Sequence, residues 1–320
     1  MKIALIGVGV IGKVHLNVIS NTDEKIVGIC DIDESKLLNF DPKITYKDYK
    51  KMLDETNPDI VHICTPHYLH KEMIIYALKK NINVFCEKPM CISYEEIEEI
   101  EKVLKSSSAQ LGICYQNRYN PVIEFVKNYL NDKKVESIFG YLLWHRDETY
   151  YNQAFWRGKK QYEGGGVLIN QAIHTIDLMQ HVANMPLEIV ANISNISLKD
   201  IIDVEDNAII SSTDGRFNLT ASNSAYKDFP VKIIINTKDD EIEVYKNFVI
   251  INNNTYDCGK LEKLPFAKKT YGGGHAPIIK DYYECIKNNK KFNIDFHEAI
   301  KSLKIVLASY ESKGKKIRIN

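Results

Sequence analysis

The feature that most constrains the fold is a glycine-rich turn that follows the first apolar run of the chain. Residues 7–12 read G-V-G-V-I-G, which has the spacing G-x-G-x-x-G. The turn lies between a predicted strand, Lys2 to Ile6, and a predicted helix, Ile11 to Ser20. Strand, glycine turn and helix in this order are typical of the phosphate-binding unit of a Rossmann domain. The sequence therefore predicts a dinucleotide-binding domain at the start of the chain.

Each glycine of the turn has its own predicted task. Gly7 makes the tight turn, Gly9 lets a pyrophosphate approach the backbone, and Gly12 lets the helix pack closely on the strand. The helix N-terminus then offers amide donors and a favourable dipole to the phosphates. In the alternative interpretation, the glycines only make a tight turn.

An acidic residue at the end of the second predicted strand indicates which dinucleotide is bound. Asp31 follows Gly12 by nineteen residues. A carboxylate at this place accepts hydrogen bonds from the adenosine ribose and repels a 2′-phosphate, so NAD is predicted rather than NADP. In the alternative, Asp31 only caps the following helix, although Asp33 is placed to take that role.

The spacing of apolar segments predicts an α/β Rossmann domain over residues 1–120 and an α+β domain over residues 121–320. The first alternates β-branched runs with amphipathic helices, which is typical of a parallel sheet, whereas the second has long strands joined by short turns, which favours a large, mostly antiparallel sheet. Two late helices, 276–287 and 296–312, are predicted to cover one face of that second sheet. The predicted strands are 2–6, 25–31, 60–64, 83–86 and 110–114, then 138–145, 187–198, 207–212, 216–226, 231–237 and 241–245, and the earlier helices are 11–20, 68–79, 94–105 and 121–130.

The charge composition favours a small molecule as the binding partner over nucleic acid or a membrane. Lysine plus arginine (42) balances aspartate plus glutamate (42), so the chain lacks the basic field that nucleic acid or an anionic membrane selects. The first apolar run stops at Gly7, short of a signal or membrane segment, which favours a cytoplasmic protein. The seven cysteines have no C-x-x-C spacing, so neither a metal site nor disulfides are predicted.

A lysine at the end of the fourth predicted strand is a candidate for proton transfer. Glu87-Lys88-Pro89 follows the apolar run 84–86, and ligands of this fold bind beyond the carboxyl ends of such strands. Beside a nicotinamide and away from water, Lys88 is expected to have a lowered pKa and to exchange a proton with a substrate hydroxyl. In the alternative, Lys88 is a surface residue paired with Glu87.

A second candidate group lies on a predicted helix after three glycines, residues 164–166. Asn170, His174 and Asp177 follow at intervals of four and three, so their side chains are predicted to share one helix face. The glycines are expected to let the first turn approach a ligand, and His174 is suited to act as a general base near neutral pH. The alternative is a buried histidine that is bonded to Asp177.

Aromatic and cationic residues concentrate just before those glycines, in Trp144 to Tyr151 and Phe155 to Gly158. Aromatic rings such as those of Tyr150 and Trp156 stack on sugar rings, and Arg157 or Arg146 is suited to pair with a carboxylate or phosphate of a substrate. Arginines paired with Asp147 or Glu148 would give the same pattern.

Together these motifs resemble those of the Gfo/Idh/MocA oxidoreductase family. The resemblance spans essentially the whole chain, since Gly274-His275 and the two closing helices are also similar to the C-terminal end of that family. The motifs are Gly7-x-Gly9-x-x-Gly12, Thr65-Pro66, Glu87-Lys88-Pro89, the segment Q-N-R-Y-N-P at 116–121, the glycines at 164–166, and His174-x-x-Asp177.

The resemblance implies hydride transfer between NAD and a carbon of a sugar, polyol or nucleotide-linked sugar, in a homodimer or homotetramer formed through the C-terminal sheet. It implies that Lys88 and His174 are catalytic. The implied substrate contacts are Asn170, Asp177, Tyr150, Trp156 and Arg157, and the implied cofactor contacts are Gly7, Gly9, Val10, Ile11, Gly12, Asp31, Thr65, Pro66, His67, His70, Glu87, Lys88 and Asn117.

The chain departs from the family pattern at Asn170, where relatives often have an aspartate that helps to bind substrate. An asparagine donates and accepts hydrogen bonds but cannot accept a proton. Asparagine also occurs in members that act on nucleotide-linked sugars, so a simple inositol dehydrogenase is less favoured. Other readings are an NAD-dependent glycosidase, a non-catalytic dinucleotide sensor, and an NADPH-dependent reductase, the last disfavoured by Asp31.

Overall fold

The computed structural model describes residues 1–267 and 273–319, which fall into two compact units. The first comprises residues 1–116 with 261–299, and the second comprises 117–260 with those from 300 onward. The predicted boundary at residue 120 therefore lies close to the first chain crossing, but 261–299 were predicted to lie in the other domain. Residues 268–272 and 320 of the predicted second domain lie outside the described residues.

The first unit is built on a parallel sheet with the strand order β3-β2-β1-β4-β5-β6 among the described residues. Strands β4 and β6 are buried along their whole length, as expected for a parallel sheet whose faces are covered. The strands are β1 (Lys2–Ile6), β2 (Lys25–Cys30), β3 (Thr45–Tyr46), β4 (Ile60–Ile63), β5 (Asn83–Glu87) and β6 (Leu111–Cys114).

Two helices of the first unit begin at side chains that accept hydrogen bonds from their first free amide groups. Asp48 accepts a hydrogen bond from Lys51 N, and Ser93 accepts one from Glu96 N, at the first turns of α2 and α4. The helices are α1 (Val10–Ser20), α2 (Tyr49–Thr56), α3 (His67–Lys79) and α4 (Tyr94–Leu104).

The second unit has one large sheet with the order β14-β13-β12-β11-β7-β10-β9-β8-β15 in the described part of the chain. Its neighbouring strands are antiparallel except for β7 and β10. Its elements, and those that follow it along the chain, are α5 (Pro121–Tyr129), β7 (Val135–Leu143), α6 (Glu148–Tyr151), α7 (Lys160–Glu163), a π-helical turn (Leu168–Ala172), α8 (Ile173–Ala183), β8 (Glu188–Ser194), β9 (Asn207–Ser212), β10 (Phe217–Ser222), β11 (Lys232–Thr237), β12 (Glu241–Val244), β13 (Phe248–Ile251), β14 (Asn254–Asp257), α9 (His275–Lys287), α10 (Phe296–Ser312) and β15 (Ile317–Arg318).

One face of the second sheet is packed against α8. Ile138 and Leu142 of β7 are buried, whereas Phe139 and Tyr141 on the other face are half-buried. At Gly140 a Cβ atom would lie 2.4 Å from the sulfur of Met179, so a larger residue would require the Met179 side chain to shift. The predicted fold class, a Rossmann domain followed by an α+β domain with a mostly antiparallel sheet, is confirmed.

Helix α9 departs from the sequence-based prediction. It was predicted to cover the antiparallel sheet, but it packs on α1 and β6 in the first unit. The hydroxyl of the fully buried Tyr282 lies 2.9 Å from Val84 O and 2.9 Å from Gln110 O, so it bonds to backbone groups of the parallel sheet. The prediction for α9 was therefore wrong, because an amphipathic pattern reports that a helix is packed but not where. Within 1–267 and 273–319, no helix has the length and apolar character needed to cross a membrane.

Candidate active site

The glycine turn after β1 contains two glycines that are required by packing within the protein and one, Gly9, that is not. Gly7 has φ +94°, and a Cβ there would lie 2.7 Å from Cys64 O. A Cβ at Gly12 would lie 1.9 Å from Gly7 O. At Gly9, by contrast, no described atom beyond the neighbouring residues lies within 4 Å of the Cβ position. The space beside Gly9 therefore suits an approaching ligand, as predicted for a pyrophosphate.

The N-terminus of α1 presents uncapped amide groups at that space. Gly9 is the N-cap residue and has no side chain to accept their hydrogen bonds, and the first turn contains no acidic residue. Val10 is 49% exposed and Ile11 is half-buried. A helix N-terminus of this kind attracts a phosphate through its donors and its dipole. The residues present therefore fit a dinucleotide.

Asp31 lies at the end of β2, where a ribose contact was predicted. The carboxylate is buried and accepts hydrogen bonds from Val8 N at 2.8 Å and from Asp33 N at 2.9 Å, with Lys36 Nζ at 3.3 Å. Lys36 Nζ also lies 3.4 Å from the other oxygen, so the protein occupies all of the about four acceptor positions of the carboxylate. A ribose hydroxyl would have to displace the exposed Lys36, and the ribose contact stays a prediction. Asp33 caps the short 3-10 helix Glu34–Lys36 and so takes the capping role foreseen for it.

His70 joins the two loops that were predicted to border the cofactor. Its Nδ1 lies 2.7 Å from Pro89 O, and its Nε2 lies 2.8 Å from Thr65 O. Burial lowers the pKa of His70, while these two carbonyl contacts act in the opposite direction. Each ring nitrogen faces a backbone carbonyl, and a neutral ring donates to one of the two. His70 thus links the loops after β4 and β5, and its cofactor contact stays a prediction.

The other predicted cofactor residues near these loops keep that role as a prediction. Thr65 is half-buried, Pro66 is the N-cap residue of α3, and His67 is the buried first residue of that helix. Asn117 is half-buried in the 3-10 helix Gln116–Tyr119, which lies at the start of the second unit.

The segment Glu87-Lys88-Pro89 turns sharply at the carboxyl end of β5. Lys88 is half-buried, and its peptide bond to Pro89 is cis, an isomer that the sequence did not decide. Glu87 was predicted to contact the cofactor, but its carboxylate points into the protein, where Oε1 lies 3.0 Å from His15 Nε2 and 3.6 Å from His275 Nε2. Burial alone would raise the pKa of Glu87, but the two histidines hold it well below its usual range.

The same side chains raise the question of a metal, which the sequence did not predict. Ligand atoms of His15, Glu87, Cys114 and His275 lie within 4.8 Å of one another in the described part of the chain. The 3.0 Å between His15 and Glu87 is a hydrogen-bond distance, whereas two ligands on a tetrahedral zinc ion are separated by about 3.3 Å. The geometry thus favours a hydrogen-bonded cluster, and the absence of a metal stays a prediction.

The helical segment that carries Asn170 and His174 starts at a buried carboxylate that the sequence did not reveal. Glu205 accepts hydrogen bonds from Gly166 N at 2.8 Å, from Leu168 N at 3.0 Å and from the Tyr310 hydroxyl at 3.0 Å. Burial raises the pKa of Glu205, and these donors oppose that effect.

The glycines before this helix are required by packing within the protein. A Cβ at Gly165 would lie 2.0 Å from the Tyr310 hydroxyl, and a Cβ at Gly166 would lie 2.0 Å from Glu205 O. Gly164 has φ +82° and ends α7. The expectation that these glycines admit a ligand is therefore replaced by a structural reason for their presence.

Asn170 and His174 are both half-buried, and a second buried carboxylate holds Asn170. Asn170 lies in the π-helical turn and donates through Nδ2 to Glu163 Oε1. Glu163 is 1% exposed and also accepts a hydrogen bond from Gly158 N. A carboxylate is therefore bonded to the asparagine that replaces the usual family aspartate. Sequence reasoning missed Glu163, although it directly precedes the three glycines.

Asp177 does not share the surroundings of Asn170 and His174. It is 1% exposed and pairs with Arg118 through both oxygens, at 2.7 Å from Nε and 2.6 Å from Nη2. The Ser302 hydroxyl donates to Oδ1 at 2.7 Å. We therefore assign Asp177 to bracing the helix, in place of the substrate contact that was predicted. Arg118, inside the 116–121 motif, was not singled out by sequence.

The aromatic and cationic residues before the glycines form a cluster in the second unit. Arg157 lies 4.7 Å from the ring centres of both Tyr150 and Trp156, and its Nη1 donates to the Tyr150 hydroxyl at 2.8 Å. Gln171 donates to the same hydroxyl at 3.2 Å, which links the cluster to the π-helical turn. The predicted substrate residues Tyr150, Trp156 and Arg157 are thus brought together.

The alternative pairing of the arginines with Asp147 or Glu148 is not what the structure shows. Arg146 pairs with Asp228 at 2.9 Å, and Asp147 instead accepts a hydrogen bond from Tyr150 N at the start of α6.

Comparison with known proteins identifies the family. Residues 1–115 match the model of an oxidoreductase family with an NAD-binding Rossmann fold, and residues 133–245 match the GFO/IDH/MocA C-terminal domain. These matches cover most of the chain, which therefore belongs to the Gfo/Idh/MocA family and carries an NAD-binding domain.

Individual relatives are distant. The chain is 27% identical over 218 residues to the uncharacterized oxidoreductase YrbE of Bacillus subtilis, covering 65% of this chain and 62% of that protein. It is 24% identical over 281 residues to the glucose-6-phosphate 3-dehydrogenase of the same organism, covering 85% of this chain and 72% of that protein. The chain spans 52–62% of the length of the first three curated relatives that it matches.

A solved structure confirms the fold over the whole chain. The WlbA dehydrogenase of Bordetella pertussis, solved in complex with NADH and UDP-GlcNAcA, superposes with a TM-score of 0.88 and covers 100% of this chain and 98% of its own. At 23% sequence identity, this likeness establishes the fold and no more.

The two glycines of the turn allow a matched test of the dinucleotide site. Gly9→Ala places a methyl group in the open space, so we expect the affinity for NAD to fall by about tenfold, or about 1.4 kcal/mol, with a loss of folding stability of about 1 kcal/mol or less. Gly12→Ala meets Gly7 O and should destabilise the fold by about 1–3 kcal/mol. Calorimetric titration with NAD and chemical unfolding measure both effects. Equal loss of stability in the two variants would contradict this division of roles.

The buried pair of Asp177 and Arg118 predicts a large stability effect. Asp177→Ala leaves the arginine charge buried and without its carboxylate, which should lower the free energy of unfolding by about 3–5 kcal/mol. Asp228→Ala is the matched control, because it removes the half-exposed partner of Arg146 and should cost at most about 1 kcal/mol. Urea unfolding followed by circular dichroism compares them. A stable Asp177→Ala protein with impaired substrate binding would instead restore the predicted ligand contact.

Proposed function

We propose that this protein is an NAD-dependent dehydrogenase that transfers hydride between the nicotinamide and a hydroxyl-bearing carbon of a sugar, polyol or nucleotide-linked sugar. The observation that carries the proposal is the dinucleotide turn, open at Gly9, in a sheet whose strand β5 ends at Glu87, directly before Lys88. In a Rossmann sheet, ligands bind beyond the carboxyl ends of the strands. Membership of an oxidoreductase family supports the same reaction class.

Lys88 and His174 are the residues proposed to move the proton. Bound NAD supplies the hydride acceptor, so the chain must take a proton from the substrate hydroxyl as the carbon is oxidised. Lysine and histidine are both competent general bases when their pKa suits the working pH. Both side chains are half-buried, so each retains access to a ligand. The reverse reduction uses the same two groups as acids.

The second unit is proposed to bind the substrate through Asn170, Tyr150, Trp156 and Arg157. Aromatic rings stack on the apolar faces of sugars, and a guanidinium pairs with a carboxylate or phosphate. Glucose-6-phosphate 3-dehydrogenase and WlbA, the latter solved with UDP-GlcNAcA, support a sugar with an anionic group as the substrate. The bond from its Nδ2 to Glu163 fixes the orientation of the Asn170 amide group.

Substitution of the two proposed bases tests the mechanism. On the sugar that the wild type oxidises fastest, we expect Lys88→Met and His174→Gln each to lower kcat by about a hundredfold or more, while the Kd for NAD changes by less than about threefold. Lys79→Met and His297→Gln alter exposed residues of the same types and serve as controls. Full turnover in both Lys88 and His174 variants would contradict the assignment.

Two experimental results would assign a different function to this protein. Release of free sugar from a glycoside without net formation of NADH would identify a glycosidase that uses NAD transiently. Tight binding of NAD without turnover of any sugar would favour a sensor. The presence of both Lys88 and His174 counts against the sensor.

We also propose a cytoplasmic location. All seven cysteines are free thiols, and all but Cys258 are buried. Disulfides are rare in a reducing compartment, so a chain of free thiols is consistent with the cytoplasm.

We propose further that the protein forms a homodimer or homotetramer through the open face of its antiparallel sheet. Ile209 of β9 is 55% exposed on this face, and Phe139, Tyr141 and Thr220 beside it are half-buried. Ile209, Thr220 and Tyr141 are cross-strand neighbours on β9, β10 and β7, and a contiguous apolar patch is typical of an association surface.

A charge placed on that face tests the association. Ile209→Glu should convert the oligomer to a monomer, because the charge would be buried in the interface. Ile196→Glu is the control, since Ile196 is 66% exposed in the loop after β8. Light scattering during size-exclusion chromatography reports the mass. A monomeric wild type, or an Ile209→Glu protein with unchanged mass, would contradict the proposal.

A further inference from the structure

We propose that His15 is a positioning residue for Lys88, because it ends a one-directional chain of hydrogen bonds that holds the Glu87 carboxylate. This inference rests on the proposed function, in which Lys88 moves the proton. It assigns a role in the reaction to a group of buried side chains that lies behind the strand end and touches neither cofactor nor substrate.

The chain consists of four side chains from four different elements of the first unit. Tyr283 Oη of α9 lies 2.7 Å from His62 Nε2 of β4. His62 Nδ1 lies 2.9 Å from His15 Nδ1 of α1, and His15 Nε2 lies 3.0 Å from Glu87 Oε1 of β5. His15 and His62 are fully buried. Every step is a hydrogen-bond distance, so each must have one donor and one acceptor.

The direction of donation follows from the carboxylate. An ionised Glu87 only accepts, so His15 Nε2 carries a proton, and a neutral His15 then accepts at Nδ1. His62 must therefore donate from Nδ1 and accept at Nε2, where the hydroxyl of Tyr283 donates. Burial lowers the pKa of His15 and lowers that of His62 well below its usual range, which agrees with two neutral rings.

The Glu87 carboxylate connects this chain of hydrogen bonds to the backbone of Lys88. While Oε1 faces His15, the other oxygen of Glu87 accepts a hydrogen bond from Lys88 N at 3.3 Å. His15 belongs to α1, the helix that begins at the dinucleotide turn. One carboxylate therefore accepts hydrogen bonds both from α1, the helix proposed to bind the pyrophosphate, and from the backbone of Lys88. This shared contact fixes the position of Lys88 relative to the cofactor.

Glu87 has no competing carboxylate among the described groups that influence its ionisation. Its surroundings are histidines and thiols, with Lys88 next to it in the chain. The groups that face it are His15 of α1, Cys64 and His62 of the β4 segment, His70 of α3, Cys86 of β5, Cys114 of β6 and His275 of α9. The neutral rings and thiols do not repel the anion, and the Cys114 thiol is a further hydrogen-bond partner of Glu87, so hydrogen bonds decide the orientation of the carboxylate.

Nitrogen-15 NMR of the histidine-labelled wild-type protein tests the chain without any substrate. We expect His15 to be neutral with its proton on Nε2, and His62 to be neutral with its proton on Nδ1. Assignment uses His15→Gln and His62→Gln proteins. A His62 proton on Nε2, or a charged His15 at neutral pH, would reverse the chain and overturn the proposal. So would one equivalent of zinc in the purified protein by elemental analysis, since a metal would replace these bonds.

Kinetics test the consequence for Lys88. His15→Leu removes the donor and should lower kcat by about tenfold to a hundredfold, with a smaller change in the Kd for NAD. His15→Gln restores an amide donor toward Glu87 and should recover most of kcat. His297→Leu, an exposed histidine of the same unit, is the control. If His15 had only a structural role, both His15 variants would lose folding stability. In that case kcat would not fall more than NAD affinity in His15→Leu, and His15→Gln would not recover kcat.

Comparison with Lys88→Met separates the two proposals. If Lys88→Met is inactive while folded His15→Leu keeps full kcat, the positioning role is wrong and the proposed function stands. If Lys88→Met keeps full kcat, Lys88 is not the base and His15 has no catalytic lysine to position, whereas failure of the proposed function itself would appear as a wild-type protein that oxidises no sugar. Should His15→Leu not fold, the His15→Gln kinetics and the wild-type NMR decide.

Discussion

The buried carboxylate of Glu87 is the constraint on which the first unit depends. A charge placed in the interior at the end of a parallel strand is costly unless donors surround it. His15 on α1 donates to it at 3.0 Å, and His275 on α9 lies 3.6 Å from it. This requirement is consistent with the packing of α9, which follows the antiparallel strands in sequence, against α1 and the parallel sheet. Helix α1, which follows the dinucleotide turn, strand β5, which ends at Glu87, and helix α9 therefore pack around the same carboxylate.

The second unit uses buried carboxylates in the same way. Glu205 holds the start of the helix, Glu163 holds Asn170, and Asp177 fixes the helix to Arg118. Breaking such groups costs several times more than breaking a surface pair, because the remaining partner is left buried. The side chains proposed to bind the ligand, such as His174, are half-buried. They lie on a helical segment that buried carboxylates hold in place, and those carboxylates are not themselves proposed to bind the ligand.

Sequence patterns gave the local features and missed the contacts between distant segments. The strand at 207–212, the glycine turn and the cap at Asp33 depend on neighbours in the chain, and the structure has them as predicted. Helix α2 was not foreseen, since only Met52 and Leu53 of its eight residues are buried and its apolar signal is weak. The bonds of Glu87 to His15 and of Asp177 to Arg118 join residues 72 and 59 positions apart, and no periodicity reports them. For the same reason, the contacts of Glu87 and Asp177 inside the protein were not foreseen.

The most direct test of the account is the formation of NADH by the wild-type protein. Purified protein is mixed with NAD and a panel of inositols, free aldoses, sugar phosphates and nucleotide-linked sugars, and NADH absorbance is followed. The account predicts sustained NADH formation with one class of sugar, in proportion to the sugar consumed. Measurable NAD binding with no NADH from any member of the panel would contradict it.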